Sequence, residues 1–217
     1  MTLGQWLHGK PRPDAPGAIR RARAYELFSA VSFAGRRRRI FGRLVTLAGV
    51  APGDRVLDLG CGPGYLTALA ARAAAPGGHA LGIDPSGPMI EQARRLRAGV
   101  RCSFELGRAE AIEAPEGSVD VVLSSLAIHH IPEGVRGAAF AEMYRVLRPG
   151  GRLLIADFRP PRGRLGRHLV GATAGEVMRD NPVERIAPMA TTAGFESVTT
   201  SRVGVFLHCV RAIKPDR

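Results

Sequence analysis

Lysine is almost missing from this 217-residue chain, where only Lys10 and Lys214 are lysines although the formal net charge is +12. The positive charge is therefore nearly all arginine. A basic surface can draw nucleic acid or an anionic membrane. Here the arginines are spread along the whole chain, so they read as compositional bias rather than a nucleic-acid footprint. Cysteine is also scarce. Cys61, Cys102 and Cys209 lie far apart, without the paired spacing of a metal site. A sparse, odd count suits a reducing compartment. No apolar run is long enough to cross a bilayer. Residues 1–16 are polar and proline-broken, unlike a secretory signal. A cytoplasmic protein is expected. Glycine and proline follow no period and no internal repeat occurs, which excludes collagen-like and low-complexity chains.

With 45% apolar residues, the chain can build one full core. A loose arm at residues 9–17 precedes a helical pattern from Ile19 to Ala48, where Ile40, Phe41, Leu44, Val45 and Ala48 share a face. Short apolar runs then alternate with helical patterns. Strands are expected at Arg55–Leu59, Ala80–Ile83, Val100–Leu106, Val119–Ser124 and Arg152–Ala156. Between them lie helices marked by Leu66, Leu69, Ala70 and Ala73, by Met89 to Leu96, and by Ala139, Met143, Val146 and Leu147. Pro149-Gly150-Gly151 is expected to stop the last of these. Such alternation implies βαβ units, a mainly parallel α/β sheet and helices on both faces. Residues 161–181 are polar and Gly-rich with some helical character. Phe195–Arg202 and Val203–Ala212 are too close for a crossover helix and should pair antiparallel. The expected organisation is one domain over 1–217: a helical cap at 1–49, a core at 50–160, and a lid with final strands at 161–217.

The strongest signal is Val56-Leu57-Asp58-Leu59-Gly60-Cys61-Gly62-Pro63-Gly64, joining the first strand to the first helix. Ligands of open α/β sheets bind beyond the carboxyl ends of strands, and glycines let backbone approach a ligand closely. The glycines stand at 60, 62 and 64, and Tyr65 occupies the place where a dinucleotide fingerprint wants a small residue. No G-K-[ST] ending marks a phosphate loop. The second signal is Asp84, in Gly82-Ile83-Asp84-Pro85-Ser86, where a carboxylate can accept both hydroxyls of a ribose. Dehydrogenases share that feature, and an Asp at a strand end also serves as a cap.

Taken in order, these segments resemble the class I S-adenosylmethionine-dependent methyltransferases. Val56 to Gly64 looks like their motif I, and Gly82 to Ser86 with Met89 like motif II. Ser118 to His130 resembles their fourth-strand block, and Glu142 to Gly151 the block before the fifth strand. The closest subgroup is the small-molecule enzymes related to quinone-biosynthesis C-methyltransferases. The resemblance implies a doubly wound, Rossmann-like sheet with an antiparallel final strand, and S-adenosyl-L-methionine as cofactor. Under it, Gly60, Cys61, Gly62 and Gly64 cradle the methionine end, and Asp58 binds near the amino group. Asp84, with Pro85, holds the ribose. Met89 packs on adenine or ribose, and Ser124 and Leu126 line the region beside the sulfonium. At Gly107-Arg108-Ala109-Glu110 the family usually has an acid at position 108. Arg108 cannot accept from the adenine amino group. The Ala109 backbone or stacking of the guanidinium is then expected to serve instead.

A sulfonium methyl is already activated, so the chain needs to align a nucleophile and exclude water. No metal is expected. A base helps when the nucleophile carries a proton, and His129 and His130 stand just after the fourth strand. His129 is the candidate base, and Tyr25, in the N-terminal cap, is a second catalytic candidate. The run Arg36-Arg37-Arg38-Arg39 could contact a membrane carrying an apolar quinone, but a charge run reads as a solvated face. The expected partner is a small apolar or aromatic acceptor, with no nucleic acid, in a monomer or homodimer. Ser124-Ser125-Leu126-Ala127 stands where amino-methylating nucleic-acid enzymes resemble one another in an Asp/Asn-Pro-Pro-aromatic block, and no cysteine follows a proline as in base C5-methylation. A binding module that lost turnover is a rival suggested by Arg108, and an NAD oxidoreductase a rival disfavoured by Tyr65.

Overall fold

The computed structural model describes residues 35–161, 163–174 and 176–216. Helix α1 (Arg37–Leu47) leads into β1 (Arg55–Leu59), α2 (Tyr65–Ala73), β2 (His79–Asp84), α3 (Gly87–Arg97) and β3 (Cys102–Leu106). There follow β4 (Val119–Ser125), a 3₁₀ turn (Ile128–His130), α4 (Glu133–Val146) and β5 (Leu147–Phe158). The last part holds α5 (Arg164–Ala174), α6 (Glu176–Arg179), a second 3₁₀ turn (Val183–Arg185), α7 (Ile186–Thr192), β6 (Glu196–Val203) and β7 (Leu207–Ile213).

The seven strands form one sheet in the order β3-β2-β1-β4-β5-β7-β6. Strands β1 to β5 pair in parallel, and β7 runs antiparallel to both β5 and β6. This is the expected doubly wound sheet with its antiparallel end. The chain moves outward from β1 to β3, then crosses back to β4 on the other side of β1. That reversal opens a crevice at the carboxyl edge, between β1 and β4.

Alternation along the strands divides the core. On β4, Val121 and Leu123 enter the layer that also holds Phe41, Leu44, Leu66 and Ala70. Val122 enters the opposite layer, with Phe140, Met143 and Ile186. A period of two along a strand populates both faces, and a sheet covered on both faces can be apolar throughout.

Two expectations are corrected. Helix α4 ends at Val146, before Pro149-Gly150-Gly151, and Leu147 already pairs with Val119. The Pro-Gly-Gly segment lies inside β5, where the register shifts between Val119 and Val121. Arg148 precedes a proline and so avoids helix, while Gly150 takes φ +68°. Lys214 secures this bend: its backbone N–H donates to the Gly151 carbonyl, and its Nζ to the Leu147 carbonyl at 2.8 Å. Strand β3 starts at Cys102, because residues 99–102 close a tight turn that leaves Val100 exposed. Helix α7 lay in a stretch that the periodicity left unassigned. Ile186 and Ala190, at i and i+4, bury its inner face. The arm at 9–17, Tyr25 and the helical pattern before residue 35 lie outside the described residues.

Candidate active site

The crevice at the carboxyl edge is a cleft of about 1190 Å³, its open mouth included. Its floor is the β1–α2 loop. The N–H groups of Gly60 and Cys61 both donate to the Ile83 carbonyl, at 2.9 and 3.0 Å, and the Gly62 N–H donates to Asp84 Oδ2 at 2.9 Å. The other Asp84 oxygen accepts from the Ser86 N–H at 2.9 Å. The loop is thus fastened to the tip of β2 through three backbone donors. Gly60 has φ +69°, and a Cβ there would lie 2.3 Å from the Ala127 Cβ. Gly64 lies outside the lining. It is the left-handed N-cap of α2, and a Cβ would meet the Phe104 ring at 2.4 Å. The close helix–strand approach is therefore made at position 64, which leaves Tyr65 free to face the cleft.

Two carboxyls dominate the electrostatics. Asp58 is buried and accepts from Thr67 Oγ1 at 2.6 Å. Burial pushes its carboxyl up to about 7; the nearby Asp84 adds to the rise and the Thr67 hydrogen bond opposes it. Burial likewise pushes Asp84 up to about 6, against the pull of the Ser86 and Gly62 N–H groups. Thr67 escaped the sequence reading. Its signal was a hydroxyl within the buried stripe Thr67-Ala70-Ala71 of α2, continued by Ala74 at its C-cap.

The other predicted binding residues converge on the same cleft. Pro85, Met89, Arg108 and Ala109 line one end, and Ser124 and Leu126 the wall made by β4. Met89 is also fully buried core. Arg108 Nε donates to Glu110 Oε1 at 2.7 Å, and Glu110 lines the cleft too. The Ser124 hydroxyl is committed to the Leu59 carbonyl at 3.0 Å, which ties β4 to β1. Next to it, Ser125 Oγ is buried in the cleft wall without a hydrogen-bond partner among the described residues. Leu126 adopts φ +57° and donates its N–H to Ala156 at 2.8 Å.

The two histidines separate. His129 is 5% exposed and lies behind the wall, where Asp157 accepts from its backbone N–H at 3.0 Å and meets its Nδ1 at 2.6 Å. His130 lines the cleft, its ring 4.0 Å from that of His129. Of the two, His130 is the histidine that lines the cleft, one residue beyond the candidate base. Tyr25 lies outside the described residues. Arg37, Phe41, Tyr65, Leu66, Ile131 and Pro132 also line the cleft and were not among the predicted site residues. Among the described residues, no group of three His, Cys, Asp or Glu side chains converges as a metal-ligand set.

Known proteins place this architecture. Residues 56–151 match the family model described as "Methyltransferase domain". The chain is 36% identical over 166 residues to an arsenite methyltransferase of Halobacterium salinarum, covering 72% of this chain and 41% of that protein. It is 33% identical over 150 residues to a demethylmenaquinone methyltransferase of Symbiobacterium thermophilum, covering 67% of this chain and 59% of that one. The chain thus spans about half the length of these curated relatives. A solved S-adenosylmethionine-dependent methyltransferase from Aquifex aeolicus superposes with a TM-score of 0.67 at 19% identity, over 82% of this chain and 93% of that one. The chain carries, at residues 56–151, a methyltransferase domain, and its fold is that of a solved S-adenosylmethionine-dependent methyltransferase.

Proposed function

We propose that the cleft binds S-adenosyl-L-methionine and that the chain passes its methyl group to a small apolar or aromatic acceptor, by in-line displacement without a metal. The observation that carries this reading is the pair Asp58 and Asp84. Buried Asp58 and half-buried Asp84, both of raised pKa, stand at the glycine loop, where a ligand bringing positive charge would favour their ionised forms. When bound, S-adenosyl-L-methionine supplies a methyl on a cationic sulfonium and an ammonium group.

The residues fit that ligand. Gly60 leaves open backbone where a side chain would collide, so the loop of Gly60, Cys61 and Gly62 can lie against the methionine end. Asp58 takes the ammonium side, and Asp84 with Pro85 the ribose. Met89, Arg108 and Ala109 form the adenine end, and Ser124 and Leu126 face the sulfonium. Gly64 acts through packing α2 against β3. Across the cleft, Phe41, Leu126, Ile131 and Pro132 offer an apolar seat for the acceptor and keep water from the transferring carbon. His130 is the side chain placed to take a proton from a phenol or activated carbon, with His129 and Asp157 bracing it from behind.

The names of the relatives leave two acceptor chemistries, a quinone ring and arsenite. An arsenic acceptor is bound by thiolates. Cys61 is buried and its thiol is held well above its ordinary value by burial, and Cys102 and Cys209 are pushed up to about 11. A quinone-like or phenolic acceptor is the reading favoured by those thiols. The test is calorimetric titration with S-adenosylmethionine, S-adenosylhomocysteine and NADH, followed by a screen of quinones and phenols. Binding of both sulfur ligands, lost in Asp84→Ala, with methylation of an aromatic acceptor, is the expected result. Preference for NADH would overturn the cofactor, and sulfur-ligand binding without transfer to any acceptor would leave a binding module, the outcome that Arg108 favours.

A further inference from the structure

The fold treats the chain's arginines differently at the two edges of the sheet. At the amino edge, Arg55 and Arg148 pair with Asp120, and Arg152 pairs with Asp54. At the carboxyl edge, Arg36, Arg38 and Arg39 stand at the start of α1, Arg164 opens α5 just past the end of β5, and Arg202 precedes the β6–β7 turn. These five are exposed, and none of them takes an acidic partner among the described residues. An apolar tip stands among them. The β6–β7 hairpin turns through Gly204, Val205 and Phe206 at the carboxyl end of β5, where Phe158 pairs with Leu207 and the Arg159 N–H donates to the Phe206 carbonyl at 2.7 Å. Val205 is 82% exposed and Phe206 54%. The Phe158 ring stacks on Phe206, with centroids 6.1 Å apart, and braces the tip at its base. A Cβ on Gly204 would lie 3.8 Å from Ile40 Cδ1, which sets the tip against the first turn of α1. Leu165, 75% exposed, follows Arg164.

We propose that this edge docks on an anionic lipid surface, with Val205 and Phe206 entering the acyl boundary and the arginines meeting the headgroup phosphates. Exposed apolar side chains rimmed by polar ones mark an interaction surface, and the charge around these decides the occupant. A second copy would bring the same cations against one another. A bilayer offers both complements at once, phosphates that guanidinium groups pair with and hydrocarbon just beneath them. Two inserted side chains hold weakly by themselves, and a polybasic surface supplies the second signal that stable attachment needs. The cleft opens at the same edge of the sheet, so docking sets it beside the layer in which apolar molecules concentrate. Attachment requires neither cofactor nor acceptor, and it stands independently of the function proposed above.

The test is sedimentation of the full chain with vesicles of phosphatidylcholine, alone or mixed with phosphatidylglycerol. Binding is expected to the mixed vesicles only, and it should weaken as salt is added. Phe206→Ser should weaken it by about tenfold, the scale of one aromatic side chain leaving an apolar phase. Val205→Ser changes a largely exposed side chain, so it checks the tip even where Phe206→Ser loosens the hairpin. The double variant Arg38→Gln/Arg39→Gln should weaken binding by about fivefold per arginine. Arg72→Gln/Arg101→Gln removes the same charge from exposed positions near the amino edge and should bind nearly as wild type. Failure to bind mixed vesicles would overturn the proposal, and so would binding that neither tip variant weakens. Equal weakening by the two arginine pairs would show attraction by net charge alone and would overturn it too. A vesicle-free dimer that Phe206→Ser dissolves, seen by light scattering, would give the tip to a second copy instead. Retention of a duplex DNA fragment, weakened by the same tip variants, would give it to nucleic acid.

Discussion

Asp157, at the end of β5, grips His129 twice, through the backbone N–H at 3.0 Å and Nδ1 at 2.6 Å, while also accepting from the Phe158 N–H at 2.7 Å. Both side chains are withdrawn from solvent. Removing one partner strands the other's polar groups in the interior, which costs several kcal/mol. Asp157→Ala should therefore lower stability by about 3 kcal/mol in urea unfolding. Asp157→Asn, which keeps an acceptor at that place, should lose less. Equal small losses for both would show that the pair contributes little.

Gly60→Ala tests the floor of the cleft. The substitution forces an L-residue to φ +69° and drives its Cβ into Ala127. The backbone term alone is about 1–2 kcal/mol. The loop must then shift, so S-adenosylhomocysteine affinity should fall more steeply than thermal stability. Gly87→Ala is the control, because a Cβ there meets nothing within 4 Å.

The raised Asp58 carboxyl gives a pH dependence of defined sign. With its pKa at about 7 in the folded chain and 3.8 as the reference, the folded state keeps a proton that the unfolded chain has released. Stability from this group is present below pH 4 and declines as pH rises towards 7. Asp84 acts in the same direction up to about 6. His208, whose pKa burial lowers, acts oppositely, so the comparison must be between variants. The melting temperature of ligand-free Asp58→Asn should fall less between pH 4.5 and 7 than that of wild type. A steeper fall would contradict the raised pKa.

The three thiols should be silent in the native state. Cys61, Cys102 and Cys209 are all buried, and burial raises each thiol, so little thiolate exists at neutral pH. A disulfide reagent at pH 7.5 should react with none of them within minutes and with all three after denaturation. Fast labelling of Cys61, which lies in the loop that floors the cleft, would contradict its burial.

Much of this site was legible because its signals are local. Asp58, Gly60 and Gly62 sit within one strand-to-turn segment, and Asp84 ends the next strand, so βαβ connectivity alone brings them to one edge. Thr67 and Arg37 were harder. Their types are common on helices, and what matters is the face each turns inward, which neighbouring residues conceal. A run of four arginines has no periodicity with which to single out the second.

The sequence by itself determined the alternation of strands and helices, hence the parallel sheet, the edge on which the cleft lies and the residues at its head. Apolar periodicity and turn chemistry are short-range, and they act before any long-range contact forms. Only the tertiary structure shows which of His129 and His130 lines the cleft. The left-handed turn at Leu126 and the grip of Asp157 rotate one ring into the core and the other onto the cleft. It also decided that Gly64, rather than position 65, makes the close packing against Phe104, and that Arg37 alone of its run meets Tyr65. Those outcomes depend on which distant segment arrives beside a residue, and packing sets that where pattern does not.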